Sequence, residues 1–137
     1  QYSGAVLIKT GTDTWVIASS TNVTGTVRTY TKQQNFGTTT LTDGANISWD
    51  LDDNQVSKVT LAGNRTLDNP TNMVDGGTYI LRVIQDATGS RTLAYGSAYR
   101  WVGGAAPTLS TGANAVDYIT FVSDGTNMDG VTSKGFA

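Results

Sequence analysis

The sequence predicts an all-β protein: an antiparallel β-sandwich of jelly-roll type with an extended N-terminal arm, and composition, periodicity and turn chemistry predict it together. All eleven acidic residues are Asp, none is Glu, and the 137 residues include 16 Gly and 23 Thr. Straight-chain helix formers are therefore scarce, while β-branched and turn residues dominate. Apolar residues recur at every second position in short runs, and Gly, Asn or Asp bounds those runs.

The runs are, in order, Gly4 to Thr10, Thr14 to Ser19, Ile47 to Leu51, Ser57 to Ala62, Thr78 to Gln85, Arg91 to Gly96, Tyr99 to Gly103 and Val116 to Ser123. Two of them, "TYILRVIQ" and "VDYITFVS", are apolar on both faces, as central strands covered on both sides would be. The others alternate and read as half exposed. The strings "TGTD", "LAGNRTL", "DATGSR" and "SDGTN" supply the positive φ of tight turns at hairpin positions.

Three segments follow. Residues 1–22 read as a β-hairpin that closes a preceding module. Residues 23–45 read as a Thr-rich extended linker or arm, too poor in apolar side chains to build a sheet of its own. Residues 46–137 read as the β-sandwich module. Leu7 to Ser19 also parallels Phe121 to Ser133, each an apolar strand, a Gly-Thr turn and a returning strand. A first residue of Gln rather than Met leaves the chain readable as the C-terminal part of something longer.

Zero Cys and zero His remove disulfides, thiolate nucleophiles, imidazole bases and the usual zinc ligands. The net charge is −2 and the basic residues are scattered singly, against a nucleic-acid partner. No apolar run approaches the ~20 residues of a membrane helix, so no membrane insertion is expected. Ser90 has no basic partner nearby, and neither a nucleophile elbow nor a phosphate-binding loop occurs. Catalytic residues, metal and cofactors are accordingly expected to be absent.

Two acidic strings remain as weaker candidates. Asp50 and Asp52 in "SWDLDDN" would share a strand face, a spacing open to Ca²⁺ or to an acid pair for glycoside hydrolysis, but they read better as a strand end running into a turn. Asp124, Asn127 and Asp129 in "SDGTNMDG" read first as an Asp-Gly hairpin. The sequons at Asn22, Asn46 and Asn64 matter only in a eukaryotic secretory context. The candidate ligand-binding residues are Tyr95, Tyr99 and Trp101. Alternation puts Tyr99 and Trp101 on one strand face, and aromatics beside Asn, Asp and Arg suit a glycan surface, although a core or a subunit interface uses the same residues.

Asn64-Arg65-Thr66-Leu67, the Gly77-x-Tyr79-x-Leu81 strand, Gln85-Asp86 with Thr88-Gly89-Ser90-Arg91, the Trp101 strand, Leu109-Ser110-Thr111 and the Phe121 strand with Asp124-Gly125-Thr126 resemble a C-terminal module of bacteriophage virion surface proteins: tail fibre, head fibre or minor structural proteins. The resemblance covers roughly Val56 to Ala137. It implies a β-sandwich that forms a homotrimer without enzymatic activity, displayed on the virion surface and assembled in the host cytoplasm, where missing cysteines are no loss. Implied partners are further copies of the chain, other virion proteins of the tail or capsid, and a host-surface glycan. The alternatives are a capsid decoration protein that stabilises the shell and a bacterial carbohydrate-binding or adhesin domain.

Overall fold

The structure is a computed structural model that describes residues 36–136 and the short strands β1 (Leu7–Lys9) and β2 (Trp15–Ile17). The chain divides into two units, Gln1–Gln34 and Asn35–Ala137. In the first, β1 and β2 form an antiparallel pair with Leu7 opposite Ile17. Most of the Thr-rich stretch lies outside the described residues.

The second unit has nine strands: β3 (Thr38–Thr40), β4 (Asn46–Ile47), β5 (Val56–Leu61), β6 (Arg65–Leu67), β7 (Asp75–Gln85), β8 (Leu93–Tyr95), β9 (Tyr99–Trp101), β10 (Val116–Asp124) and β11 (Met128–Phe136). They form a six-stranded sheet in the order β3-β5-β7-β10-β11-β9 and a three-stranded sheet in the order β4-β6-β8. The all-β class is as the sequence predicts, and part of the module starts earlier than residue 46, since β3 lies in the stretch read as arm.

The pairing is mixed rather than antiparallel throughout. β3, β5 and β7 run parallel, as do β4, β6 and β8, whereas β7, β10 and β11 pair antiparallel and β9 joins β11 in parallel. Each pass of the chain leaves one strand in the large sheet, turns a corner, leaves one in the small sheet and returns to stack on the previous pass. Parallel neighbours need such a long crossover, and here the crossover contains the strand of the other sheet. Side-chain alternation has the same period in either pairing direction, so the sequence pattern does not distinguish them. "LAGNRTL" and "DATGSR" are consequently corners between two sheets. "SDGTN" is the turn of a hairpin, joining β10 to β11.

Polar side chains tie successive passes together. Arg65 donates to both carboxylate oxygens of Asp43, at 2.9 and 2.6 Å, and the Ala62 N–H reaches the same carboxylate. The Asn64 side chain accepts from the Thr92 N–H, and Asn46 donates to Asp68. The buried Gln85 brackets the third corner, accepting from the Arg91 N–H and donating to the Arg91 carbonyl. Bidentate Arg–carboxylate geometry fixes register as well as adding energy, and stacked parallel strands require that register.

The core lies between the two sheets. Ile47, Trp49, Leu51, Leu67 and Leu93 come from the small-sheet side, and Val59, Leu61, Leu81, Val83, Ile119, Phe121 and Met128 from the large one. The opposite, outer face of the large sheet is different. Its central rows, read from the register, are Val56–Ile80–Thr120–Val131 and Lys58–Arg82–Tyr118–Ser133. Among the described residues nothing packs over these rows as the core packs beneath them, so β7 and β10 are fully covered on one face alone.

Candidate functional site

The aromatics singled out from the sequence converge at one side of the core. On β9, Tyr99 and Trp101 point inward and Arg100 outward. Trp101 fits because its neighbour across the ladder is Gly130: a Cβ there would lie 2.5 Å from Trp101 Cζ3 and 2.8 Å from Phe121 Cε1. Ring centroids then follow at 4.6 Å for Tyr95–Trp101, 5.8 Å for Tyr95–Tyr99, 5.7 Å for Trp101–Phe121 and 5.9 Å for Phe121–Trp49. Tilted and edge-on contacts of this kind add to simple burial.

The three residues play different parts. Tyr99 is buried and its hydroxyl donates to the Asp68 carbonyl at 3.0 Å, tying β9 to the end of β6. Tyr95 is half-buried, with its hydroxyl oxygen sealed from solvent and without a partner among the described residues. Burial pushes both phenols well above the ordinary tyrosine value, with the Asp117 charge adding to the effect at Tyr95 and the neighbouring Tyr95 and Asp68 at Tyr99. Trp101 alone of the three borders an opening, a shallow groove of about 270 Å³ completed by Val102, Ala105, Pro107, Val131, Thr132 and Lys134. Val102 projects beside it, 85% exposed, at the start of the tight turn Val102–Gly104.

A charged cluster flanks the groove. Arg100 donates to both oxygens of Asp129, at 2.6 and 2.9 Å, and to Asp124 at 2.9 Å. The Asp124 carboxyl is held down at about 2, first by the N–H groups of Asn127 and Thr126, with Arg100 contributing less. Asp124 and Asp129 thus organise the hairpin turn and hold Arg100. Asp50 accepts from Asn72 and from the Asp52 N–H, which lowers its pKa and links it to the next pass of the stack. Asp86 caps its own corner by accepting from the Thr88 and Gly89 N–H groups and from Arg91.

Sequence reading missed Asp117. It is 2% exposed and accepts from the Ser110 N–H, the Ser110 hydroxyl and the Gly135 N–H, at 2.6, 2.7 and 2.9 Å. The visible signal was a lone Asp on the inward side of a strand whose next inward residues, Ile119 and Phe121, are apolar. Its three donors satisfy the charge and tie the loop after the Val102 turn to the end of β11.

The sequence profile of a family described as "Putative phage tail fibre C-terminal domain" matches residues 38–128, about two thirds of the chain. The chain belongs to this family. The match takes in every strand of the second unit from β3 to β10 and reaches the start of β11, so the stacked passes, Trp101 and Arg100 lie within the matched phage tail-fibre domain, while Asp129 and the β11 side of the groove follow its last matched residue. As such it is a virion-associated fibre module. No curated protein and no solved structure matches the chain.

Proposed function

We propose that this tail-fibre module is a non-enzymatic structural head on the virion surface, built as a homotrimer joined to other tail proteins, whose task is contact with the host surface. The carrying observation is the family match over the folded unit. The groove beside Trp101 is the place where this reading puts a glycan: an indole at the edge of a shallow opening, with Lys134 within its walls and the Arg100 cluster alongside. A sugar ring has apolar faces and hydroxylated edges, and such a groove offers an aromatic surface with charged donors around it. Tyr95 and Tyr99 serve by holding Trp101 in place. A tail location favours attachment over shell stabilisation, and the capsid-decoration and adhesin readings lose ground accordingly.

The test is retention of the full chain on host cells or on purified host surface polysaccharide. Trp101→Ala is expected to reduce binding at least tenfold, a loss of about 1.4 kcal/mol, while the far-ultraviolet spectrum persists. Undiminished binding by a folded Trp101→Ala variant would remove the groove from the account.

A further inference from the structure

We infer that the outer face of the six-stranded sheet is the surface through which copies of this chain pack against one another. The inference rests on the homotrimer proposed above and assigns its interface. Val122 and Val131 on this face are 51% and 58% exposed, and the aromatic pair Tyr118 and Phe136, with ring centroids 5.3 Å apart, is 36% and 50% exposed. Half-exposed aromatics leave on the order of 100 Å² each uncovered. Together with the two valines they reach a few hundred Å², the scale at which the largest apolar patch of a protein is often functional.

The extent of the face also fits. Six strands ~4.8 Å apart and about three rows of outward side chains make a plane of roughly 24 by 20 Å. That is on the order of 500 Å² per copy, at the low end of specific interfaces.

Two further observations point to another copy of the chain as the occupant. Phe36, 64% exposed, sits on this same face, beside a recess lined by Gln55, Val56, Thr78 and Ile80. The described part of the module therefore begins on the outer face.

The charges are complementary within one chain. Lys58 and Arg82 stand adjacent in the middle of the face without an ion pair among the described residues, and Arg82 Nε is sealed from solvent without a partner. Asp75, at the start of β7 and opposite Asp124 in the register, likewise forms no ion pair among the described residues. Each copy carries both halves of the pairs that would neutralise an apolar interface.

The full 137-residue chain provides the test. Sedimentation velocity at micromolar concentration is expected to give a trimer for the wild type and for Ala94→Asp, whose charge lies on the exposed side of the small sheet. Val122→Asp is expected to sediment as a folded monomer. The absence of cysteine allows a second measurement that does not require dissociation. In the trimer, Val122→Cys should react with a maleimide at least ~10-fold more slowly than Ala94→Cys, because access then waits on opening of the interface. A monomeric wild type overturns both the inference and the homotrimer. A trimer in which Val122→Cys labels as fast as Ala94→Cys overturns the assigned face and leaves the homotrimer standing.

Discussion

The two faces of the six-stranded sheet are built from the same strands and have opposite environments. On the inner face Leu81, Ile119 and Phe121 are fully buried. One residue along, Val122 is half exposed and Ile80 only partly covered. Hydrophobicity differs little between these positions. Alternation locates two faces, and what covers each one depends on the rest of the chain for the inner face and, in the proposed homotrimer, on a neighbour for the outer.

Three tests probe that contrast, the first a pair of truncations with unequal expected effects. Phe121→Ala removes a ring that contacts Trp49, Tyr99 and Trp101. A cost of about 3–5 kcal/mol is expected from denaturant midpoints. The outer-face truncation Val131→Ala should stay within ~0.5 kcal/mol when measured on dissociated chains. Equal costs for the two would erase the distinction between the faces.

Gly130→Ala tests the close approach beneath Trp101, where a methyl group meets two rings at less than 3 Å. Overpacking is expected to cost about 1–3 kcal/mol and to alter the near-ultraviolet spectrum, since Trp101 has to move. An unchanged spectrum and midpoint would show that the ring has room to spare.

Acid acts on corners and turns rather than on either face. Asp43, Asp86 and Asp124 bind protons less readily when folded, Asp43 and Asp86 first through their arginine partners and Asp124 first through turn N–H groups. Unfolding therefore takes up protons as pH falls below the ordinary carboxylate value of 3.8, and the stabilisation present above that pH is lost progressively towards about 2. A thermal midpoint that is flat above pH 5 and declines below pH 4 is expected; one that rises on acidification would contradict the assignment of these partners.

Much of the fold was legible because burial writes period-2 alternation into a strand. The runs at Ser57 to Ala62, Thr78 to Gln85 and Val116 to Ser123 coincide within a few residues with β5, β7 and β10. β3 and β6 were not legible as strands. "TTT" has no apolar residue, and "RTL" has one, inside a string that reads as a turn. Pairing direction was illegible to alternation, but a trace of the stacking was available: Leu41 to Ile47 and Leu61 to Leu67 have the same spacing, and Ile47 and Leu67 are register partners.

At the candidate site, strand alternation placed Tyr99 and Trp101 on the same side correctly. It could not separate the buried ring from the one at the groove, because that depends on the Val102 turn and Pro107 from elsewhere in the chain. Asp117 was passed over because its donors come from Ser110 and Gly135, on two separate segments.

The concentration dependence of the thermal midpoint tests the difference between the two faces most directly. If the outer face is covered by other copies, the wild-type midpoint rises with chain concentration by mass action, while that of Val122→Asp stays constant. A wild-type midpoint independent of concentration, from well below to well above micromolar, would contradict an outer face that closes on its own kind.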